Sequence, residues 1–134
     1  MHCRPSANPL RRWLGALALA LAPLPLFAQG MQIPRPSPGL MPNPAIGKPT
    51  YEQHCSSCHG GALQGTADKG PPLLHRVYEP SHHSDAAFQL AVKSGSRAHH
   101  WKFGDMAPVP GVSPDEVAHI TAYVRMMQRK AGIH

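Results

Sequence analysis

The sequence CSSCH at residues 55–59 constrains this chain more than any other feature of its 134 residues. Two cysteines separated by two residues are compatible with a redox-active dithiol, with half of a zinc site, or with covalent attachment of a haem. A thioredoxin-type dithiol follows a β-strand, whereas a proline-rich segment precedes Cys55. A structural zinc site needs four ligands, and histidines would have to supply the rest because no cysteine follows Cys58.

Haem attachment accounts for the motif best, because C-x-x-C-H is a haem-attachment sequence. Thiols three residues apart lie on one side of a helical turn, where each can form a thioether with one vinyl group of a porphyrin. A disulfide is a weak explanation, since it would close a loop of only four residues. The sequence therefore predicts one haem c bound through Cys55 and Cys58, with His59 as an iron ligand. Spacing alone does not exclude His54, and the order of residues in the motif favours His59.

Residues 1–28 have the layout of a secretory signal peptide. Arg4, Arg11 and Arg12 form a basic region, the apolar run WLGALALALA follows, and Ala28 is suited to cleavage. An uncleaved anchor is the alternative, but the run is short for a membrane span and prolines follow it. We predict cleavage after Ala28, no stable membrane span in the mature protein, and a periplasmic location. Cys3 would be removed with the segment.

The charge of the mature chain argues against a nucleic-acid partner. Loss of the three arginines lowers the net charge from +6 to +3, and no basic stripe is interleaved with aromatic residues. A weakly positive surface can instead attract an acidic protein partner. No carboxylate pair, Ser/His/Asp set or phosphate-binding loop points to catalysis, so we predict that the chain is not an enzyme.

The region before the motif is rich in proline. Residues 29–49 contain six prolines, which predicts an extended arm that acts as a flexible tether, or alternatively as a docking segment. The folded domain is then expected at residues 50–134, with a first helix that begins at Thr50 as its N-cap.

Two further helices are predicted from their capping residues. Ser84 and Gly95 enclose a helix at about 85–94. Ser113, with Pro114 and Glu116, predicts a capping box at the start of the last helix, and Arg125, Arg129 and Lys130 suit the C-terminal end of its dipole. No alternating strand pattern is present, so the fold class is all-α with long loops.

Taken together, these segments resemble the class I cytochromes c over residues 49–133. Besides CSSCHG, the resemblance includes GPPL at 70–73, FGDMAPVPG at 103–111, and the capped last helix with its ITAYV sequence. It implies a small cytochrome c-like fold, in which three to five short helices and long loops wrap around one covalent haem.

The resemblance also implies roles for particular residues. The first and last helices should pack together, with Tyr51 against the face of Ile120, Tyr123 and Val124. The carbonyl of Pro71 should accept a hydrogen bond from His59, although a proline that merely shapes a turn is the alternative.

Met106 is the predicted second axial ligand of the iron. It lies in an irregular loop between Gly104 and Pro108, as the methionine ligand of the family does, whereas Met127 belongs to the apolar face of the last helix.

Nine histidines remain in the mature chain, and four of them form the pairs His82-His83 and His99-His100. The pairs are compatible with a second metal site, for example for copper, or with solvated or propionate-bound imidazoles. Trp101 can donate its indole N–H to a haem propionate, or can belong to the core.

The predicted function is a periplasmic c-type cytochrome that transfers single electrons between redox protein partners and acts as a monomer. One alternative is a haem subunit docked permanently to a dehydrogenase or oxidase. Another is a haem sensor or peroxidase-like protein with an open iron site, and a third is a histidine-rich metal-handling protein.

Overall fold

The computed structural model describes residues 32–134, so the predicted signal peptide at residues 1–28 lies outside the described part of the chain. Within residues 32–134 there are four α-helices, long loops and no β-strand, which confirms the all-α prediction. The helices are α1 (Pro44–His54), α2 (Ser56–His59), α3 (Asp85–Ser94) and α4 (Pro114–Lys130), and Arg76–Tyr78 adds one 3-10 turn. In this part of the chain no helix is both long enough and apolar enough to span a membrane.

Helix α3 lies between its predicted flanking residues, although the Ser84 side chain makes no capping hydrogen bond, and α4 begins at its predicted capping residues. Ser84 precedes α3, and Gly95 ends it with a φ of 77° that suits glycine. At the start of α4 the Ser113 hydroxyl accepts the N–H of Glu116, and the Glu116 carboxylate accepts the N–H of Ser113. Both bonds of the predicted capping box are therefore present.

The first helix begins six residues before its predicted start at Thr50, so that prediction was wrong. The side chain of Asn43 accepts the N–H of Ala45, and Pro44 occupies the first helical position, where a missing N–H costs nothing. Pro49 is tolerated inside the helix, and the hydroxyl of Thr50 donates to the carbonyl of Ile46 (3.0 Å) rather than capping a terminus. The last part of the predicted extended arm is thus helical.

Helices α1 and α4 pack against each other, as the resemblance implied. Tyr51 is fully buried, with its ring centroid 5.6 Å from that of Tyr123, and Ile120 and Val124 complete the contact. The backbones approach closely at Gly47, where a Cβ atom would overlap the His119 carbonyl. A glycine is therefore required on α1 at this point of the interface.

The described part of the proline-rich segment is bound to α4. The N–H and the hydroxyl of Ser37 both donate to the carboxylate of Asp115, at 2.6 and 2.8 Å. The N–H of Asn43 donates to Nδ1 of His119 (2.9 Å). These contacts differ from the flexible tether favoured by the sequence, because composition does not reveal a distant carboxylate that accepts the N–H and the hydroxyl of one serine in an extended segment.

Arg125 is buried and lies before the last turn of α4, so the prediction that it stabilises the C-terminal end of the helix dipole was wrong. Only 6% of the residue is exposed, and its guanidinium donates to Asp85 (2.8 Å), to the carbonyl of Tyr78 (2.6 Å) and to the carbonyl of His83. It also donates to the side chain of Gln128 (2.8 Å). Arg125 therefore holds the segment before α3 against α4.

Candidate functional site

The cysteine motif lies where α1 ends and α2 begins. The N–H of Cys55 donates to the carbonyl of Tyr51 (2.8 Å), and the N–H of His59 donates to the carbonyl of Cys55 (3.0 Å). The structure thus brings Cys55, Cys58 and His59 together on consecutive turns. Both thiols are free, Cys55 half-buried and Cys58 exposed. Burial, and secondarily the nearby Cys58, raise the pKa of the Cys55 thiol to about 11.

The imidazole of His59 is oriented by the backbone of Pro71. Its Nδ1 atom lies 2.9 Å from the Pro71 carbonyl oxygen, which can only accept a hydrogen bond. Nδ1 therefore carries the proton, and the lone pair of Nε2 is left for a metal ion. Burial lowers the pKa of His59, although the bond to Pro71 opposes this effect, so the ring is neutral near pH 7. The hydrogen bond expected from the resemblance is present.

The loop after α2 folds back to bring Pro71 to the histidine. The hydroxyl of Tyr51 donates to the carbonyl of Gly60 (2.6 Å) in the buried interior and fixes the start of this loop. Gly70 lies against the motif, where a Cβ atom would come within 2.9 Å of the Cys58 carbonyl oxygen. A larger residue than glycine before Pro71 would therefore push the Pro71 carbonyl away from the imidazole.

Met106 is half-buried and is held beside the C-terminal end of α3. Its N–H donates to the carbonyl of Ser96 (2.8 Å), and its carbonyl accepts the N–H of Ser96 (3.0 Å). Gly95 makes room for this pair, because a Cβ atom there would overlap the Met106 carbonyl. These bonds anchor Met106 to the end of α3 and not to the cysteine motif, and its place opposite His59 stays a prediction.

The indole N–H of Trp101 is a test of whether these residues fit a haem. Nε1 is buried and has no hydrogen-bond partner among the described residues. His75 packs edge-on against the indole, with ring centroids 4.9 Å apart. Burial raises the pKa of the Tyr78 phenol, and Trp101, which approaches the phenol without completing a hydrogen bond to it, offsets part of the rise. A buried donor without an acceptor fits a haem, whose propionate carboxylates are strong acceptors.

The two histidine pairs meet in space, as one of the two sequence interpretations, a second metal site, requires. His82 contacts His100, and His83 contacts His99, although α3 separates the pairs in the chain. Two His-His dipeptides on either side of one short helix were the available signal.

Arg125 was missed as the residue that organises this region, because a buried arginine near the end of a helix resembles a surface one in sequence.

Comparison with known proteins gives the following matches. The family model described as Cytochrome c matches residues 44–128. Among solved structures, the chain is similar to cytochrome CL from the marine methylotrophic bacterium Methylophaga aminisulfidivorans, with 29% identity and a TM-score of 0.47. That alignment covers 62% of this chain and 51% of the other, so the chain spans only half the length of its match. No curated protein matches the chain.

Proposed function

The chain belongs to the cytochrome c family and binds haem c covalently, and on this premise we propose that it carries single electrons in the periplasm with His59 and Met106 as axial ligands. When bound, haem supplies an iron that cycles between two oxidation states. The polypeptide contributes the ligands, the apolar surroundings and the surface on which redox partners dock.

The hydrogen bond between His59 and Pro71 is the observation that carries the proposal. It fixes the tautomer in which Nε2 can bind iron, and it fixes the plane of the ring. The lowered pKa of His59 keeps the imidazole neutral, which is the form that ligates a metal.

Cys55 and Cys58 are the proposed thioether donors. They are free, they lie on consecutive turns, and His59 follows them directly.

Met106 is proposed as the second axial ligand because its backbone is fixed while its surroundings are irregular. Two backbone hydrogen bonds to Ser96 hold it at a defined place, and the rest of the loop is free of helical structure. His/Met ligation raises the reduction potential relative to two histidines, which suits an acceptor of electrons on an oxidising pathway.

A subunit docked permanently to a larger enzyme is supported less well by the described contacts. The proline-rich segment was the candidate docking device, yet Ser37 and Asn43 are bound to α4 of the same chain. We therefore favour a soluble carrier that meets its partners transiently. Stable co-purification with an oxidoreductase would reverse this preference.

The absorption spectrum of the native holoprotein, oxidised and reduced, tests the function directly. We expect six-coordinate low-spin iron in both states and a reversible one-electron titration. Carbon monoxide should not bind the reduced protein readily, because both axial positions are taken. Rapid carbon monoxide binding would instead favour a sensor or peroxidase-like protein with an open iron site.

A further inference from the structure

Four histidines form a cluster at the two ends of α3. His82 and His83 lie just before the helix, and His99 and His100 lie in the loop that follows it. The Nε2 atoms of His82 and His100 are 3.0 Å apart, and those of His83 and His99 are 3.4 Å apart. The four rings form a continuous chain of contacts, with 4.2 Å between the ring centroids of His99 and His100.

Hydrogen bonds to the backbone determine which nitrogens of this cluster are free. Nδ1 of His83 lies 2.6 Å from the carbonyl oxygen of Val77, and Nδ1 of His99 lies 2.7 Å from that of Arg97. A carbonyl oxygen only accepts, so both Nδ1 atoms carry their protons. In the neutral rings the two Nε2 atoms therefore face each other with lone pairs, which is unfavourable unless a cation lies between them.

We propose that His82, His83, His99 and His100 form a binding site for one divalent transition-metal ion of the zinc or copper class. Three of them, His82, His83 and His100, place one ligand atom each within 4.8 Å of the others; His99 lies outside this group of three, and its Nε2 is 3.4 Å from that of His83. Ligand nitrogens around tetrahedral zinc are about 3.3 Å apart, given zinc–nitrogen bonds of about 2.0–2.1 Å. The separations of 3.0 and 3.4 Å are already close to this value.

The surroundings of the cluster resemble those of bound metal ligands. A ligating histidine usually donates its second N–H to a carbonyl, as His83 and His99 do here. Burial lowers the pKa of His83, the bond to Val77 opposes this, and the nearby His82, His99 and Arg125 lower it further. Neutral imidazole is the ligand form, and it suits zinc and copper better than magnesium or calcium.

Arg125 fixes one side of the site. Its guanidinium donates to the carbonyl of His83 and to that of Tyr78, and Asp85 balances its charge at 2.8 Å. The segment that carries His82 and His83 is thus held to α4 without a metal. A bound ion would tie this segment to the loop that carries His99 and His100.

Isothermal titration of the holoprotein with Zn²⁺ tests the site. We expect one Zn²⁺ per chain, and at least tenfold weaker binding when His82→Gln and His100→Gln are combined. Both histidines are exposed, so the double variant should keep its haem spectrum and its unfolding temperature. His134→Gln is the matched control, because it removes an exposed histidine outside the cluster.

X-ray absorption at the zinc edge supplies a second readout that does not depend on affinity. The zinc of the loaded holoprotein should show a shell of nitrogen ligands at about 2.0 Å and no sulfur. The proposal is overturned if no Zn²⁺ binds, if the double variant binds as tightly as the parent, or if sulfur is found at the zinc. Titration with Cu²⁺ should give tighter binding at the same site.

Discussion

The Nδ1 atom of His59 lies 2.9 Å from the carbonyl oxygen of Pro71, and this contact leaves the lone pair of Nε2 free for a metal ion. We therefore expect His59→Ala to abolish the native low-spin haem spectrum, because no other residue of the motif supplies an imidazole in this tautomer. His54→Ala is the control, and it should leave iron ligation intact. Absorption and electron paramagnetic resonance spectra of both variants provide the measurement, and low-spin native iron in His59→Ala would contradict the assignment.

Met106→Ala should open the second axial position. We expect loss of the weak sulfur-to-iron charge-transfer band of the oxidised protein, a lower reduction potential and rapid carbon monoxide binding after reduction. Met41→Ala serves as the matched control, because Met41 is 83% exposed and should affect none of these properties. An unchanged band in Met106→Ala would exclude the methionine as a ligand.

Trp101→Phe tests whether the unpartnered indole N–H meets a haem propionate. The phenyl ring can keep the edge-on contact with His75, while the donor is removed. A hydrogen bond to a charged group contributes about 1.5–3 kcal/mol, so denaturant unfolding of the holoprotein should show a loss of that size. If the variant is as stable as the parent, the N–H makes no such bond.

Gly47→Ala should destabilise the packing of α1 on α4. A Cβ atom at Gly47 would overlap the carbonyl of His119, which is backbone and cannot move aside cheaply. Overpacking costs typically about 1–3 kcal/mol, and we expect the upper end of that range in chemical unfolding. Gly61→Ala is the control, because a Cβ atom at Gly61 meets nothing within 4 Å. Equal stability of the two variants would show that the helices do not approach as described.

The contact between Ser37 and Asp115 should depend on pH. The N–H and hydroxyl of Ser37 stabilise the ionised carboxylate and lower the pKa of Asp115 below its ordinary value of 3.8. A depressed folded-state pKa means that the stabilisation is complete above pH 3.8 and is lost as the pH falls through the lower, folded value.

Asp115→Asn isolates this effect from other acidic groups. The difference in unfolding temperature between parent and variant should be largest near neutral pH and should shrink as the pH falls below 3.8. A difference that stays constant down to pH 2 would show that the carboxylate is not stabilised by Ser37.

The sequence predicted those elements whose signals are local. Helix α4 was correct at its start because Ser113 and Glu116 cap each other across three residues, and α3 was correct because Ser84 and Gly95 enclose it. The start of α1 was predicted wrongly because the six prolines of residues 29–49 indicated an extended arm, whereas Asn43 and Pro44 begin a helix there. Whether Gly47 lies in a tether or in a helix interface depends on α4, which is far away in the chain.

The candidate site also contains some residues whose roles the local sequence predicts and others whose roles depend on distant contacts. The five residues of the CSSCH motif are contiguous, so their chemistry could be inferred without a fold. The burial of Arg125 depends on Asp85, which lies 40 residues away, and on carbonyls still farther along the chain. The convergence of four histidines likewise depends on the loops at both ends of α3, whose paths no local pattern specifies.

Two backbone hydrogen bonds between Ser96 and Met106 close residues 97–105 into a loop. A second hydrogen bond lies inside the first pair, where the N–H of Ala98 donates to the carboxylate of Asp105 (2.8 Å). Insertions or substitutions at the tip of such a loop need not displace the paired residues at its base, because lengthening a loop costs little once its ends are held. The position of Met106 is therefore set by the base of this loop and does not depend on the length of its tip.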